Sequence, residues 1–112
     1  MLTDHDLASL GDAYVNFVYS IVLSDKAKKP VGARLKGSIL AEALRKAGLR
    51  DSLGSRMSRH ELADAAEALI VYAWLNSYVT LDETVTIMKT GKDAVDGISA
   101  LLATAMKRIT FP

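Results

Sequence analysis

Cysteine is absent from this chain of 112 residues, and proline is scarce. Without cysteine the protein has no disulfide, no thiolate metal site and no cysteine nucleophile. The two prolines are Pro30 and Pro112. β-Branched residues are scattered and nowhere alternate for long, whereas apolar residues recur at helical spacing through most of the chain. The sequence therefore favours an all-α protein.

Neither sign of charge is in excess, since 14 basic residues stand against 13 acidic ones. This balance neither requires nor excludes a nucleic-acid partner, because a basic patch can lie opposite an acidic site on the same molecule. Half of the residues are hydrophobic and 24% are charged, which is typical of a globular protein rather than a disordered one. The length suits one domain, residues 1–112, without a second module.

Long hydrophobic runs are also lacking. The longest uncharged run, 13–24, is too short to span a bilayer and contains Asn16. The N-terminus has no basic region followed by an apolar run, so we expect no signal peptide. These observations predict no membrane partner and a cytoplasmic location.

Apolar periodicity and capping signals predict five helices, at about 6–24, 39–47, 59–77, 82–89 and 92–108. Short helical turns are also expected, at about 33–36 and 51–53. Ser38 is the expected cap of the second helix, which should close at Gly48. Ser58 and Glu61 have the spacing of a capping box at the start of the third helix. The predicted architecture is a helical bundle with short loops.

Two acidic residues stand out in the third predicted helix, which is apolar on nearly every side. Asp64 and Glu67 are three residues apart and therefore lie on one side of that helix. Carboxylates are almost never fully buried unless they are paired or bind a metal. In the first helix Asp12 follows Gly11, and a glycine there is best explained by the close approach of another helix. A crossing at Gly11 would carry all three carboxylates together.

Three clustered carboxylates repel one another, and a divalent cation would relieve that repulsion. Magnesium prefers oxygen ligands and commonly combines one or two carboxylates with a substrate phosphate. The residues thus indicate a metal site suited to phosphodiester hydrolysis. A plainer interpretation is also open, in which Asp12 is a surface residue and the other two acids form ordinary ion pairs with one of three arginines: Arg34, Arg45 or Arg59.

Three blocks of the sequence resemble the ribonuclease III endonuclease domain. Residues 7–13, LASLGDA, resemble its L-E-x-L-G-D-S/A signature. Residues 38–44, SILAEAL, continuing to AGL at 47–49, resemble its N-x-x-L-A-x-x-A…G-L segment. Residues 62–70, LADAAEALI, resemble its L-A-D-x-x-E-A-L-I-G motif. The blocks keep the order of the family, and the compact chain is most similar to small archaeal ribonuclease III-like proteins.

The resemblance implies an all-helical homodimer that cleaves double-stranded or structured RNA, such as a ribosomal RNA precursor, with magnesium or, as a substitute, manganese. In the family the signature helix helps to form the dimer interface, here expected between Leu7 and Ser20, and RNA lies across both subunits. Asp12 matches the signature aspartate, and Asp64 and Glu67 match the acids of the D-x-x-E motif. The resemblance makes these three residues the catalytic metal ligands.

The chain departs from the family pattern at positions that leave other functions open. Ala8 stands where the signature has a glutamate that supports the metal cluster, and Val71 follows Ile70 where the motif has glycine. We expect no double-stranded-RNA-binding domain. The bacterial Mini-III type shares the alanine and is an active nuclease. The alternatives are a catalytically inactive relative that binds RNA or ribosomal particles, and a helical interaction module whose resemblance is coincidental.

Six basic residues are candidates for contacts with RNA phosphates: Lys28, Lys29, Arg34, Lys36, Arg56 and Arg59. Each phosphate that a protein neutralises adds a salt-dependent increment of affinity, and duplex RNA is recognised by shape and backbone without a base-reading motif. The basic connection between the first two helices can equally be a solvated loop. His5 and His60 are candidate metal ligands or general bases, although polar residues at a helix start are the simpler interpretation.

Overall fold

The computed structural model describes residues 5–49 and 57–110, and within these ranges the regular structure is entirely α-helical. The helices are α1 (His5–Ala27), α2 (Gly37–Lys46), α3 (Arg59–Leu75), α4 (Leu81–Lys89) and α5 (Ala94–Arg108). The all-α prediction is confirmed. The turn predicted at 51–53 and the candidate Arg56 lie outside the described residues.

Helix α3 is the central element, and it packs against α1, α2 and α5. Its sequence supplies small and branched apolar side chains on all sides, so that the helix is buried nearly all round. The largest of its buried side chains are Leu62, Leu69, Ile70 and Val71, each at most 1% exposed. Glu67 lies in the same helix and is also buried, so the core of the protein encloses a carboxyl group.

Two predicted capping motifs are confirmed. The Ser58 hydroxyl accepts a hydrogen bond from the Glu61 backbone N–H, and the Glu61 carboxylate accepts one from the Ser58 N–H. Helix α2 closes at Gly48, whose φ of 77° is a left-handed conformation that glycine adopts without strain. The N–H groups of Gly48 and Leu49 bond back to the carbonyls of Arg45 and Leu44, as in a Schellman motif.

Several predicted boundaries are wrong. Helix α1 continues to Ala27 and ends at Lys28, whose φ is 58°. Residues 33–36 are extended rather than helical, because side chains of α1 bond their backbone in place of a helical turn. Helix α2 therefore begins at Gly37, with Lys36 at the N-cap position and no side-chain cap, so Ser38 is not the cap.

The predicted end of α3 and the predicted start of α5 also differ from the structure. Helix α3 stops at Leu75 instead of 77, and Ser77 is left-handed with φ 62°. Helix α5 starts at Ala94 instead of 92, because the Asp93 side chain accepts a hydrogen bond from the Asp96 N–H and thereby caps the helix.

By length and hydropathy, α1 is long and apolar enough to cross a membrane, which the run 13–24 alone did not indicate. Of its most apolar window, 39% is buried inside the protein. Its buried residues Tyr14, Val15, Val18 and Val22 belong to the hydrophobic core. The packing of α1 on α3 and α4 thus accounts for part of its apolar character.

Candidate active site

The two backbones of α1 and α3 meet at Gly11. A Cβ atom built on Gly11 would lie 2.5 Å from the carbonyl carbon of Glu67 and closer still to the carbonyl oxygen. No side chain fits in that space, so glycine is required by the approach of α3. The crossing places Asp12, the next residue of α1, beside the side chain of Glu67.

The carboxyl groups of Asp12 and Glu67 are in hydrogen-bonding contact. Burial, then the hydrogen bond to Asp12 and the charge on Asp12, raise the pKa of Glu67 to about 8. Burial opposes ionisation of Asp12 as well, but hydrogen bonds from Glu67 and Arg34 outweigh it and lower the pKa of Asp12. At neutral pH the Glu67 carboxyl is therefore protonated and donates to the Asp12 carboxylate.

Asp64 lies one turn before Glu67 and is partly exposed. Its charge contributes to the raised pKa of Glu67, so the two groups face the same region. Within residues 5–49 and 57–110, however, no three His, Asp or Glu side chains are grouped closely enough to hold one metal ion. The structure joins two of the three predicted carboxylates and leaves Asp64 at their edge.

The donor chemistry of the Asp12–Glu67 pair suits a hard divalent cation. Two adjacent carboxyl oxygens are the ligands that magnesium prefers, and one or two carboxylates are its usual protein contribution. Because the pKa of Glu67 is raised to about 8, a second negative charge on the pair is disfavoured at neutral pH even with Arg34 beside Asp12. A bound cation would add positive charge and displace the proton.

Asp12 is held by two further residues. Arg34 Nη2 lies 3.2 Å from Oδ1 and 3.1 Å from Oδ2 of Asp12. Asn16 Nδ2 donates to Asp12 Oδ1 at 3.1 Å and to the Asp12 carbonyl at 2.8 Å. The plainer interpretation paired Asp64 and Glu67 with arginines. Among the described residues, Arg34 forms an ion pair with Asp12 rather than with Asp64 or Glu67.

Sequence reasoning did not predict the role of a row of polar side chains that continues from Asp12 along α1. We call Asn16, Ser20 and Ser24 the polar ladder and residues 31–35 the strap. The Leu35 N–H donates to Asn16 Oδ1 at 2.7 Å. The Ala33 N–H donates to the Ser20 hydroxyl at 2.9 Å, and that hydroxyl donates to the Ala33 carbonyl.

Ser24 makes the same pair of bonds with Val31, at 2.8 and 3.1 Å. The ladder thus docks the strap antiparallel to α1. The signal in the sequence is the strict four-residue spacing of polar residues at 12, 16, 20 and 24, which places them on one side of the helix.

The predicted RNA-contact residues are exposed wherever the structure describes them. Lys28 and Lys29 lie at the turn after α1, Arg34 lies on the strap, Lys36 follows it, and Arg59 begins α3. His5 and His60 are also exposed, at the first turns of α1 and α3. Neither histidine belongs to a metal-holding group among the described residues.

The sequence of this chain matches a known protein family. A family model described as Ribonuclease III matches residues 5–108, which is nearly the whole chain. The chain belongs to the ribonuclease III family. A comparison with curated proteins gave no match. Membership in the ribonuclease III family indicates an RNA-directed, endoribonuclease kind of function, and the family generally uses divalent metals. It removes the alternative that the resemblance is coincidental.

Within a ribonuclease III protein, Ala8 is the departure that bears most directly on the site. Ala8 is buried one turn before Asp12, on α1. The ribonuclease III signature has a glutamate at this position, so this chain lacks one carboxylate beside its acidic pair. The acidic pair at the crossing is Asp12 and Glu67, and the charge of Asp64 acts on it.

Proposed function

We propose that this protein is a magnesium-dependent endoribonuclease that hydrolyses double-stranded or structured RNA. The observation that carries the proposal is the contact between Asp12 and the buried, protonated Glu67 at the crossing of α1 and α3. Burial and contact with the Asp12 carboxylate raise the pKa of Glu67 and cost stability once that group ionises, whereas a pair that binds a cation needs both groups together.

In this proposal Asp12 and Glu67 hold magnesium, and Asp64, the third predicted ligand, adds negative charge beside them. When bound, the ion lowers the pKa of water and stabilises negative charge on the phosphate. Glu67 loses its proton as the ion binds, and Asn16 keeps the Asp12 carboxylate in one orientation. The exposed cations Arg34, Lys36 and Arg59, with Lys28, Lys29 and Arg56, contact phosphates that flank the cleaved bond.

Replacing Glu67 tests this proposal. We expect Glu67→Gln to lower the rate of duplex-RNA cleavage in magnesium by about a hundredfold or more, because a neutral amide is a poor ligand for a hard cation. Gel analysis of end-labelled duplex RNA measures the rate. Glu42→Gln, on the exposed face of α2, is the matched control and should cleave like the wild type. Undiminished cleavage by Glu67→Gln would overturn the assignment.

The proposed enzyme is a homodimer. Four large hydrophobic side chains are exposed in the described part of the chain: Leu10, Phe17, Trp74 and Leu75. Leu10 and Phe17 are seven residues apart and share one face of α1. Trp74 stacks on Tyr14 of α1 with ring centroids 4.9 Å apart, so the end of α3 adjoins that helix. Large exposed apolar side chains on two adjoining helices suit a second copy of the chain.

Phe17 has the largest exposed fraction of these side chains, 57%, and a charge there should prevent association. We expect Phe17→Glu to weaken the dimer at least about a hundredfold, because it removes an aromatic anchor and buries a carboxylate. Light scattering over a micromolar concentration series measures this. Thr86 is exposed on α4, and the control variant Thr86→Glu should remain dimeric. A wild-type protein that is monomeric throughout the series would contradict the dimer.

A second candidate function is a catalytically inactive protein that binds RNA or ribosomal particles. Ala8 favours it, and so does the lack of a three-residue metal group within the described ranges. Its expected signature is duplex-RNA binding, or co-sedimentation with ribosomal particles, without cleavage in either magnesium or manganese. The cleavage assay with the wild-type protein therefore distinguishes the two candidates.

A further inference from the structure

The strap and α1 stay in register because two spacings nearly coincide. Four residues of α-helix advance about 6.0 Å, and two residues of extended chain advance about 6.6 Å. Side chains at every fourth residue of α1 can therefore meet every second residue of an antiparallel extended segment. The bonds from Ser24 to Val31, from Ser20 to Ala33 and from Leu35 to Asn16 follow this rule over three successive steps.

This pairing also decides which strap side chains face solvent. The backbone N–H groups of residues 31, 33 and 35 turn toward α1, and Leu35 is buried in the core. The alternate residue, Arg34, is exposed and reaches Asp12, and Lys36 is exposed on the next alternate position. The ladder thus places Arg34 beside the Asp12 carboxylate and leaves Lys36 exposed two residues further along.

Asn16 differs from the two serines of the ladder because its side chain bonds both the strap and the Asp12 carboxylate. It is 8% exposed, and all of its polar atoms are used. Its Oδ1 accepts from the strap at Leu35, while its Nδ2 donates to the Asp12 carboxylate. A serine at this position could bond the strap as Ser20 does, but its hydroxyl could not also hold the carboxylate.

We infer that Asn16 is a positioning residue that couples the Asp12 carboxylate to the strap through the two ends of one amide. The inference rests on the proposed function, because it takes Asp12 as a metal ligand. Reorientation of a ligand by loss of its hydrogen-bond partner typically lowers metal affinity tenfold or more. Loss of a strap bond instead increases local opening of the strap.

Three variants distinguish the bond from Asn16 to the strap from the bond from Asn16 to the Asp12 carboxylate. Strap opening is measured as the rate of tryptic cleavage after Arg34, followed by mass spectrometry, and metal affinity by calorimetric titration with Mn²⁺ alone. We expect Asn16→Ala to increase cleavage and to weaken Mn²⁺ binding, each about tenfold. Asn16→Ser should weaken Mn²⁺ binding but keep cleavage near the wild-type rate. Ser24→Ala should increase cleavage and leave Mn²⁺ affinity unchanged.

A global loss of stability would move both readouts together in every variant, which would overturn the coupling. Thr86→Ala, which removes a hydroxyl that bonds only within α4, is the control and should change neither readout. Equal tryptic rates in the wild type and all variants would overturn the ladder as the element that holds the strap. A wild-type protein that binds no Mn²⁺ would instead overturn the metal site of the proposed function, and with it the coupling.

Discussion

Gly11→Ala is expected to destabilise the protein by at least about 3 kcal/mol, near the upper end for a single added methyl group. The new Cβ would overlap the Glu67 backbone, which cannot move aside as the tip of a flexible side chain can. Alanine's higher helix propensity would return only about 1 kcal/mol. Helices α1 and α3 must then separate, and the Asp12–Glu67 contact should be lost with them.

Urea denaturation monitored by circular dichroism measures the change. Gly32→Ala is the matched control, because a Cβ at Gly32 meets nothing within 4 Å. That variant should remain within about 1 kcal/mol of the wild type, since alanine also restricts the unfolded chain. Equal stability of Gly11→Ala and Gly32→Ala would mean that α1 and α3 do not cross at Gly11.

The second large effect is a loss of stability between pH 5 and pH 8 that comes from Glu67. In the unfolded chain this carboxyl loses its proton near pH 4.5, whereas in the folded protein it keeps the proton until about pH 8. Between those values the folded state binds one more proton, so rising pH favours unfolding. The slope is up to about 1.4 kcal/mol per pH unit, which amounts to a few kcal/mol over the window.

Glu67→Gln is the variant that isolates this contribution, because glutamine has the same shape and can donate to Asp12 but does not titrate. We expect the variant to match the wild type near pH 4.5 and to be more stable by a few kcal/mol at pH 8. Urea midpoints of both proteins across that range measure the difference. Magnesium should reduce the wild-type slope, since a bound cation favours the ionised carboxylate. Parallel pH profiles for the two proteins would contradict a protonated Glu67.

The sequence was most informative where local signals and packing act together. The capping box at Ser58 and Glu61 depends on residues three apart, and the burial of α3 follows from apolar residues on nearly every side of the helix. Gly11 was informative for a different reason, because a glycine inside a helix has a cost that only a close neighbour explains. These signals were enough to predict the helical bundle and the crossing of α1 and α3.

The connection after α1 could not be predicted in the same way. Residues 33–36 have no helical or strand pattern of their own, and their conformation comes from side chains of α1 that bond them across a gap of up to 19 residues. Ser38 looked like a cap because it is the right residue type, but the chain enters the helix two residues earlier, with Lys36 at the N-cap. The position of Asp64 relative to the Asp12–Glu67 pair likewise depends on the rotation of α3, which spacing does not determine.

Every second residue of the strap bonds to every fourth residue of α1. This pairing limits how the length of the strap can vary among related proteins. Deleting one residue between Val31 and Leu35 would exchange inward and outward positions, so that a leucine would face water and an arginine would enter the core. Insertions and deletions should therefore be confined to the turn at 28–30 or should occur in pairs. Related proteins can therefore be compared by whether their straps differ in length by an even or an odd number of residues, even where the residues themselves differ.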